Sequence, residues 1–377
     1  MAHSARRTIF IAAGEPSGDL HGAGLARALR ERIPGVRLMG LGGARMAAEG
    51  VELLAGLEDL SVMGFAEVVK HLPFFLRLRR RVFDALAREG VELVIPIDYP
   101  GFNLRLARHA REQGIPVLYY IAPQVWAWHA SRAADLARDA NRVAAILPFE
   151  AHFLRAHGAD ARFVGHPLLD VPPPATPRDV WLREQGLDPD RPVLALFPGS
   201  RAQEIQRHLT LFTATAAEVV RRRPEVQPVI GAASDLDAEL FRGLPWPVTR
   251  DSRALLHHAT AALAKSGTTT LETALAATPF VVVYRMNPLS YRIARRLVKV
   301  PHIALANLVA DERLAPEFVQ DEATVPALAR ALLPLLDTES EEHRRMLTGF
   351  DRVRERLGGG GAANRVADLA AELLGAE

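Results

Sequence analysis

The chain has 377 residues, of which 49% are hydrophobic and 24% charged, a balance typical of a folded protein with a large core and room for about two domains. Its net charge is only +2, so the protein as a whole is too weakly charged to bind a polyanion such as a nucleic acid. Cysteine is absent, which excludes disulfides, thiolate metal sites and a cysteine nucleophile. The sequence shows no signal peptide or membrane span, and we expect a cytoplasmic protein.

The first part of the chain alternates short apolar runs with amphipathic segments. Continuous apolar runs are typical of strands that helices cover on both faces, and alternation with helices predicts a parallel, doubly wound sheet. The predicted strands are Thr8–Ala13, Val36–Met39, Leu93–Ile97, Val117–Ile121 and Val143–Leu147.

A proline-rich segment, VPPPATP at 171–177, interrupts this pattern and indicates a stiff connector. We therefore predict an α/β protein of two Rossmann-like, doubly wound parallel-sheet domains facing a central cleft, over residues 1–170 and 171–349. A last helix, within about 350–377, follows four glycines and could pack back on the first domain. The strands predicted after the connector are Val193–Phe197, Val226–Ile230, Ala261–Ala264 and Phe280–Val283.

Two loops of the first domain follow predicted strands and carry polar side chains. The segment GEPSGD, Gly14–Asp19, is predicted to be a turn, but its spacing matches neither the dinucleotide pattern nor the P-loop pattern. The segment IDYPGFN places Asp98 directly after a buried strand, where its carboxylate could act as a general base. Capping of a helix that begins near Asn103 explains the same aspartate equally well.

The second domain opens with a glycine loop between a strand and a helix, FPGSRAQE. Gly199 permits close backbone approach, and a helix N-terminus beside Ser200 favours an anion. The guanidinium of Arg201 adds donors suited to phosphate oxygens. The alternative is a surface ion pair between Arg201 and Glu204.

A second loop of this domain, KSGTTTLE, has related features. Ser266, Gly267 and Thr268 could approach a diphosphate with backbone N–H groups and hydroxyls. Glu272, one turn into the following helix, could accept both hydroxyls of a ribose. An ordinary capped helix explains the same residues.

Apolar residues stand beside arginines in SVMGFAEVVKHLPFFLRLRRR. Val62, Met63 and Phe65 occupy a predicted loop before a basic helix, a combination that suits an anionic lipid surface. Packing of these residues into the core, with arginines reaching to solvent, is the more ordinary explanation. The histidines are scattered and the pair Asp235 and Asp237 lacks a partner cluster, so no metal site is predicted.

Together these motifs resemble the lipid-A-disaccharide synthases, a family of membrane-associated glycosyltransferases with the B-type fold of two Rossmann-like domains. The resemblance covers nearly the whole chain in the expected order, which makes it highly specific. The matching segments are GEPSGDLHGAGL, VMGFAEV, IDYPGFN, YYIAPQVWAW, ILPFE, FVGHPLLD, FPGSRAQEI, KSGTTTLE, YRMNPLSYRIARRLVKVPHIALANL and PEFVQ.

The resemblance implies an inverting reaction without metal or cofactor. UDP-2,3-diacylglucosamine would donate its sugar to the 6-hydroxyl of 2,3-diacylglucosamine 1-phosphate, giving a β-1,6-linked disaccharide and UDP. Asp98 would activate that hydroxyl and Arg201 would stabilise the diphosphate. The remaining implied contacts are Gly199, Ser200, Ser266, Gly267, Thr268, Glu272 and Asn307 for UDP, Glu15, Ser17, Gly18 and Asp19 for the acceptor, and Val62, Met63 and Phe65 for acyl chains or membrane.

The resemblance also implies peripheral attachment to the anionic cytoplasmic face of the inner membrane, no nucleic-acid partner and a possible homodimer. The alternative is an isomerase similar to UDP-N-acetylglucosamine 2-epimerase. Such an enzyme has a similar two-domain architecture and would bind UDP in the second domain, but it needs no surface for acyl chains.

Overall fold

The computed structural model describes residues 7–57, 65–128, 131–233, 236–287, 291–292 and 300–375, without the side chains of 65–72, 127–128 and 131. The chain folds into two compact units. Unit 1 comprises Met1–Asp170 and Gly359–Glu377, and unit 2 comprises Val171–Gly358. The chain leaves unit 2 within the glycine run that precedes its last helix.

Unit 1 is built on one parallel sheet. Within the described residues its strands are β1 (Thr8–Ala13), β2 (Arg37–Gly42), β3 (Glu52–Gly56), β4 (Leu93–Ile97), β5 (Leu118–Tyr120), β6 (Arg142–Ala145) and β7 (Ala161–Phe163). They lie in the order β3-β2-β1-β4-β5-β6-β7, and each neighbouring pair is parallel. The strand order therefore reverses between β1 and β4, the switch point at which such sheets bind ligands.

Helices cover both faces of this sheet, which explains the continuous apolar runs of its central strands. The helices of the first segment are α1 (Pro16–Arg32), α2 (Ala44–Ala48), α3 (Phe65–Arg88), α4 (Pro100–Glu112), α5 (Val125–Trp128), α6 (Ser131–Asp139) and α7 (Pro148–Ala156). On one face Phe10 packs with residues of α3, α4 and α6. On the other face Ile9 packs with α1 and with the last helix of the chain.

Unit 2 repeats the architecture with its own sheet. Within the described residues its strands are β8 (Val193–Phe197), β9 (Gln227–Gly231), β10 (Val248–Thr249), β11 (Ala261–Lys265), β12 (Phe280–Tyr284) and β13 (Glu317–Val319). Their order is β10-β9-β8-β11-β12-β13, so the switch point lies between β8 and β11. The helices are α8 (Arg178–Glu184), α9 (Ala202–Arg222), α10 (Ser252–His258), α11 (Thr268–Leu275), α12 (Leu305–Ala310), α13 (Val325–Leu335) and α14 (Glu341–Arg356).

The last helix, α15 (Ala362–Leu374), belongs to unit 1, where it packs against α1. Arg32 of α1 pairs with Asp368 at 2.9 Å. The carboxylate of Asp170 accepts hydrogen bonds from the backbone N–H groups of Gly361 and Ala362, at the start of the helix. These contacts fix the returning segment, because they satisfy N–H groups that the helix itself leaves without acceptors.

The prediction of an α/β protein with two doubly wound parallel sheets is confirmed. The prediction of a turn over Gly14–Asp19 is wrong beyond its first two residues, because α1 begins at Pro16. Proline is favoured at the first position of a helix, where its missing N–H costs nothing. Among the described residues, no helix combines the length and apolar content that crossing a bilayer requires.

Candidate active site

The turn after β4 holds Asp98 in an unusual backbone conformation. Asp98 and Tyr99 have φ angles of +46° and +47°, in the left-handed region that bulky side chains avoid. Such strain persists only where the surroundings fix it, and it concentrates at functional sites. The turn lies at the switch point of unit 1, and Asp98 is half-buried there.

Side chains from distant parts of unit 1 hold this turn. The amide nitrogen of Asn103 donates to the backbone oxygens of Ala12 at 3.0 Å, Ile97 at 3.0 Å and Asp98 at 2.8 Å. The Tyr119 hydroxyl donates to the same Asp98 oxygen at 3.0 Å. The first residue flanking α4 is Tyr99, not Asp98, which argues against the capping explanation of the aspartate. The turn is therefore braced through its backbone.

Gly14 is needed for the packing of this turn. A Cβ placed on Gly14 would lie 2.3 Å from Cδ1 of Tyr99, so only glycine lets the Tyr99 ring lie against the end of β1. Burial, together with the nearby charge of Glu15, raises the pKa of the Tyr99 hydroxyl. The first glycine of the GEPSGD segment therefore supports the Asp98 turn.

Asp19, for which the resemblance implies an acceptor contact, makes several hydrogen bonds within unit 1. Its side chain is buried, and its Oδ1 accepts from the backbone N–H groups of Gly43 at 2.7 Å and Met46 at 3.1 Å. Its Oδ2 accepts from the N–H of Arg45 at 3.2 Å. Both oxygens thus cap α2.

The other implied acceptor residues differ in exposure. Gly18 is buried in α1, where an added Cβ would lie 3.2 Å from that of Ala13. Ser17 is exposed and Glu15 is half-buried at the N-terminus of the same helix. Only Glu15 and Ser17 of this set therefore present side chains toward solvent.

A second carboxyl group of unit 1, Glu150, was missed by the sequence analysis. It is buried at the start of α7, accepts from Nε1 of Trp126 at 3.3 Å and from the N–H of Ile146 at 3.3 Å. Burial raises its pKa to about 8, and the negative charge of Asp98 adds to the shift. Its position in ILPFE, at the start of the helix that follows β6, is the signal that could have identified it.

In unit 2 the loop between β8 and α9 is closed by Glu204. Gly199 has a φ of +142°, and an added Cβ would lie 2.5 Å from the Cβ of Glu204. The Glu204 carboxylate accepts from the N–H of Ser200 at 3.0 Å and pairs with the Lys265 ammonium at 2.7 Å. Since Lys265 ends the neighbouring strand β11, this pair joins the two loops of the switch point.

The pKa of Glu204 reflects its pairing with Lys265. Burial alone would raise the pKa of Glu204, but hydrogen bonding to Lys265 and the charges of Lys265 and Arg201 outweigh it, and the pKa is lowered. Arg201 is exposed at the N-terminus of α9. Glu204, which the sequence offered as the alternative partner of Arg201, is thus paired with Lys265. No role was predicted for Lys265.

The loop between β11 and α11 presents backbone more than side chains. The Ser266 hydroxyl is buried and donates to the backbone oxygen of Ile303 at 2.7 Å, so its proton is used within the unit. Gly267 has a φ of +154°, and an added Cβ there would meet only Nζ of Lys265, at 3.8 Å. Thr268 is exposed at the first position of α11. Gly267 and Thr268 are therefore the accessible residues of this loop.

Glu272 is half-buried on the second turn of α11. Burial raises the pKa of its carboxyl group, and the charge of Arg253 opposes that shift. Within the part of the chain that the structure describes, no group donates a hydrogen bond to this carboxylate. A partly buried acceptor of this kind suits a ligand with adjacent hydroxyls.

Replacing Glu272 with Gln is expected to raise KM for a UDP-sugar donor about tenfold, because hydrogen bonds to a charged acceptor contribute about 1.5–3 kcal/mol. The measurement compares the normal donor with its 2′-deoxyuridine analogue. The wild-type preference for the ribose form should shrink in the variant, and Glu341→Gln, at an exposed acid of α14, serves as the control. An unchanged preference would contradict the assignment.

Asn307, for which the resemblance implies a nucleotide contact, is also bonded within its own unit. Asn307 is fully buried, and its Nδ2 donates to the backbone oxygen of Ala315 and to Oε1 of Glu317, both at 2.9 Å. Its Oδ1 accepts from the N–H of Ala315 at 2.9 Å. The side chain ties α12 to the segment before β13, and its polar atoms are used there.

Several residues of the predicted membrane surface and of the Asp235 and Asp237 pair lie wholly or partly outside the described ranges. Val62 and Met63 lie outside the described residues, and Phe65 begins α3 with its side chain outside the description. Asp235 also lies outside them, whereas Asp237 accepts from the N–H of Glu239 at 3.0 Å. Over the described ranges, no group of three or more His, Asp or Glu side chains could hold a metal ion.

The comparison with protein families covers nearly the whole chain. The family model described as lipid-A-disaccharide synthetase matches residues 9–360. The chain belongs to this family. It is similar to the lipid-A-disaccharide synthase of Acidobacterium capsulatum, with 42% identity over 98% of this chain and 97% of the relative. It is similar to that of Geobacter sulfurreducens with 39% identity, over 100% and 99% of the two chains.

Solved structures of low sequence identity show the fold alone. A putative UDP-N-acetylglucosamine 2-epimerase from Listeria monocytogenes has a TM-score of 0.66 at 14% identity, covering 98% of this chain and 96% of its own. A calicheamicin glycosyltransferase has a TM-score of 0.60 at 18% identity, covering 98% and 99%. The chain is thus a glycosyltransferase of lipid A synthesis, as predicted, and the epimerase alternative is a likeness of fold only.

Proposed function

We propose that the enzyme transfers the sugar of UDP-2,3-diacylglucosamine to the 6-hydroxyl of 2,3-diacylglucosamine 1-phosphate. The observation that carries this proposal is the braced, strained turn of Asp98 at the switch point of unit 1. A carboxylate fixed in this way suits a general base, because its orientation is set before the substrate arrives.

The proposed chemistry is a single displacement with inversion. Asp98 takes the proton of the 6-hydroxyl while the hydroxyl oxygen bonds to the anomeric carbon of the donor. The bond from that carbon to the diphosphate breaks, and its electron pair leaves with UDP. Arg201 neutralises the charge that develops on the diphosphate, as cationic groups do in phosphoryl chemistry, and the proposal requires no metal or cofactor.

The proposed UDP site is in unit 2, at the switch point between β8 and β11. Gly199 and Gly267 allow the backbone to approach the diphosphate, with Arg201 and Thr268 beside it. Glu272 accepts the ribose hydroxyls. Ser266 and Asn307 act indirectly, because their side chains shape the loops around the nucleotide.

We further propose that α3 attaches the enzyme to the anionic cytoplasmic face of the inner membrane. Leu76 is 46% exposed on this helix, next to the exposed Arg77 and near Arg80 and Arg81. Apolar and cationic side chains on one helix surface suit an anionic interface. Leu76→Ser is expected to weaken flotation with phosphatidylglycerol vesicles, whereas equal flotation of the variant would contradict this contact.

The decisive test of the function is product analysis. UDP and a disaccharide phosphate should form only when both acylated sugars are supplied, and chelation with EDTA should leave the rate unchanged. Epimerised UDP-N-acetylglucosamine would support the isomerase instead. UDP release that needs only the donor would contradict the transfer to an acceptor sugar.

A further inference from the structure

Unit 1 contains a groove of about 450 Å³ between α3, α4 and α6. It begins at Pro100 and Gly101, directly after the turn that holds Asp98, and continues along α4. All three helices contribute arginines to it. They are Arg79 from α3, Arg105 and Arg108 from α4, and Arg132 from α6.

The positive charge of this groove is only partly balanced. Its acidic lining residues are Glu112 and Asp135. Arg108 pairs with Asp139 at 3.2 Å and lies 3.7 Å from Asp135. Neither Arg79 nor Arg132 has a hydrogen bond or an ion pair within the described ranges of the chain. Two guanidinium groups that form no ion pair with the described residues thus line the same groove, which favours an anionic ligand.

Arg105 is also close to the mouth of the groove, because it donates to the backbone oxygen of Gly101 at 3.2 Å. A Cβ on Gly101 would meet nothing within 4 Å, so the space above this residue is open. One end of the groove therefore lies beside the Asp98 turn, and the Arg105 guanidinium lies at that end.

Arg79, Arg105 and Arg132 occupy similar positions along the axes of α3, α4 and α6. The ring of Phe83 on α3 stacks on that of His109 on α4, with centroids 3.7 Å apart. Arg79 and Arg105 each precede these rings by four residues, about one helical turn of 5.4 Å. Asp135 of α6 lies beside Arg108 of α4, at 3.7 Å. Arg132 precedes Asp135 by three residues, and Arg105 precedes Arg108 by three residues. By this spacing, Arg79, Arg105 and Arg132 occupy similar positions along their three helices, and Arg105 lies about one turn from Gly101.

We propose that this groove binds the phosphate monoester of the sugar acceptor. The inference rests on the proposed function, in which the acceptor is a sugar 1-phosphate that presents its 6-hydroxyl to Asp98. In the pyranose ring, C1 with its phosphate and C5 with its 6-hydroxymethyl group flank the ring oxygen, so the phosphate lies close to that hydroxyl. The arginines lie about one helical turn from the residues that follow Asp98. Planar guanidinium groups match the oxygens of a phosphate, and three of them from three helices can hold it from several sides.

The test uses the double variant Arg79→Gln and Arg132→Gln in the full chain. Neither side chain makes a hydrogen bond or ion pair with the described residues, so the substitutions remove charge without breaking a contact of the fold. KM for the acceptor is expected to rise about tenfold, as for lost charge-assisted hydrogen bonds, while KM for the UDP-sugar stays unchanged. Arg45→Gln with Arg155→Gln, two exposed arginines of α2 and α7 that lie outside both the groove and the proposed membrane surface, is the matched control.

A second measurement identifies the source of the phosphate. The wild type should prefer the 1-phosphate acceptor over its 1-O-methyl analogue, and the double variant should lose most of that preference. An unchanged KM and an unchanged preference would overturn the proposal. Lost flotation with phosphatidylglycerol vesicles at an unchanged acceptor KM would assign the groove to a phospholipid headgroup and would overturn the acceptor assignment.

The groove can also be tested apart from the overall reaction. If the wild type forms no disaccharide, the proposed function fails, and equilibrium binding of glucosamine 1-phosphate then decides the phosphate site alone. Binding that falls about tenfold in the double variant supports the site. Equal binding by both proteins, or none by either, overturns it.

Discussion

Replacing Asp98 with Asn is expected to lower kcat by about a hundredfold or more, because the attacking hydroxyl loses its positioned base. The substitution keeps the size of the side chain, and asparagine tolerates the left-handed backbone that this position requires. The contacts from Asn103 and Tyr119 reach the backbone oxygen of residue 98, so the turn should remain intact. Initial rates of UDP release, with thermal unfolding measured in parallel, separate loss of chemistry from loss of fold.

Asp84→Asn, at an exposed position of α3, is the matched control and should retain the wild-type rate. Near-normal turnover of Asp98→Asn would remove Asp98 as the base. Glu15 would then be the next candidate, because the Asp19 carboxylate is already occupied by three backbone N–H groups. A Glu15→Gln variant measured in the same assay would settle that choice.

The sequence predicts the central strands well because of their surroundings. The bounds of β1, β4 and β8 agree with the predicted ones, and these strands are buried on both faces between two neighbours. Burial on both faces requires a continuous apolar run, which a sequence displays directly. No apolar run in the sequence predicts β3, β7, β10 or β13, which are the four edges of the two sheets. Edge strands pair on one side only and are short, so they carry little apolar signal.

The start of α1 was misjudged because composition and conformation disagree there. Glycine, proline and serine together indicate a turn, yet Pro16 fits the first position of a helix and Gly18 packs closely on Ala13. That close packing is a tertiary contact between α1 and β1, and no local pattern in the segment encodes it.

The site was predicted where residues follow strands, and missed where partners are distant in sequence. Asp98 stands out because it comes directly after a strand, and Arg201 because it ends the short loop between a strand and a helix. The pairing of Glu204 with Lys265 joins positions 61 residues apart, and Asn103 reaches Ala12 across 91 residues. Asn307 shows the reverse case, since its motif matches the family but its side chain bonds within the unit. A motif can locate a loop, whereas the fold decides which atoms of that loop remain available.

Replacing Arg201 with Ala is expected to lower kcat by about a hundredfold to a thousandfold, the usual effect of removing a donor that stabilises developing charge. Arg201 is exposed at the start of α9, so its loss should not disturb the core of unit 2. The Glu204–Lys265 pair, which joins the two loops, does not involve the Arg201 guanidinium and should keep the site in shape. Rates with saturating donor and acceptor, together with KM for each, provide the measurement.

Arg207→Ala, an exposed arginine further along α9, is the matched control and should remain close to the wild type. Arg201→Lys keeps the charge but not the planar fork, and its rate should lie between those of the wild type and the Ala variant. If Arg201→Ala instead raises KM for the donor at an unchanged kcat, the guanidinium binds UDP equally in the ground state and transition state. Stabilisation of the leaving diphosphate would then have to come from the backbone N–H groups at the starts of α9 and α11, because the anion would still lie against these two helix N-termini.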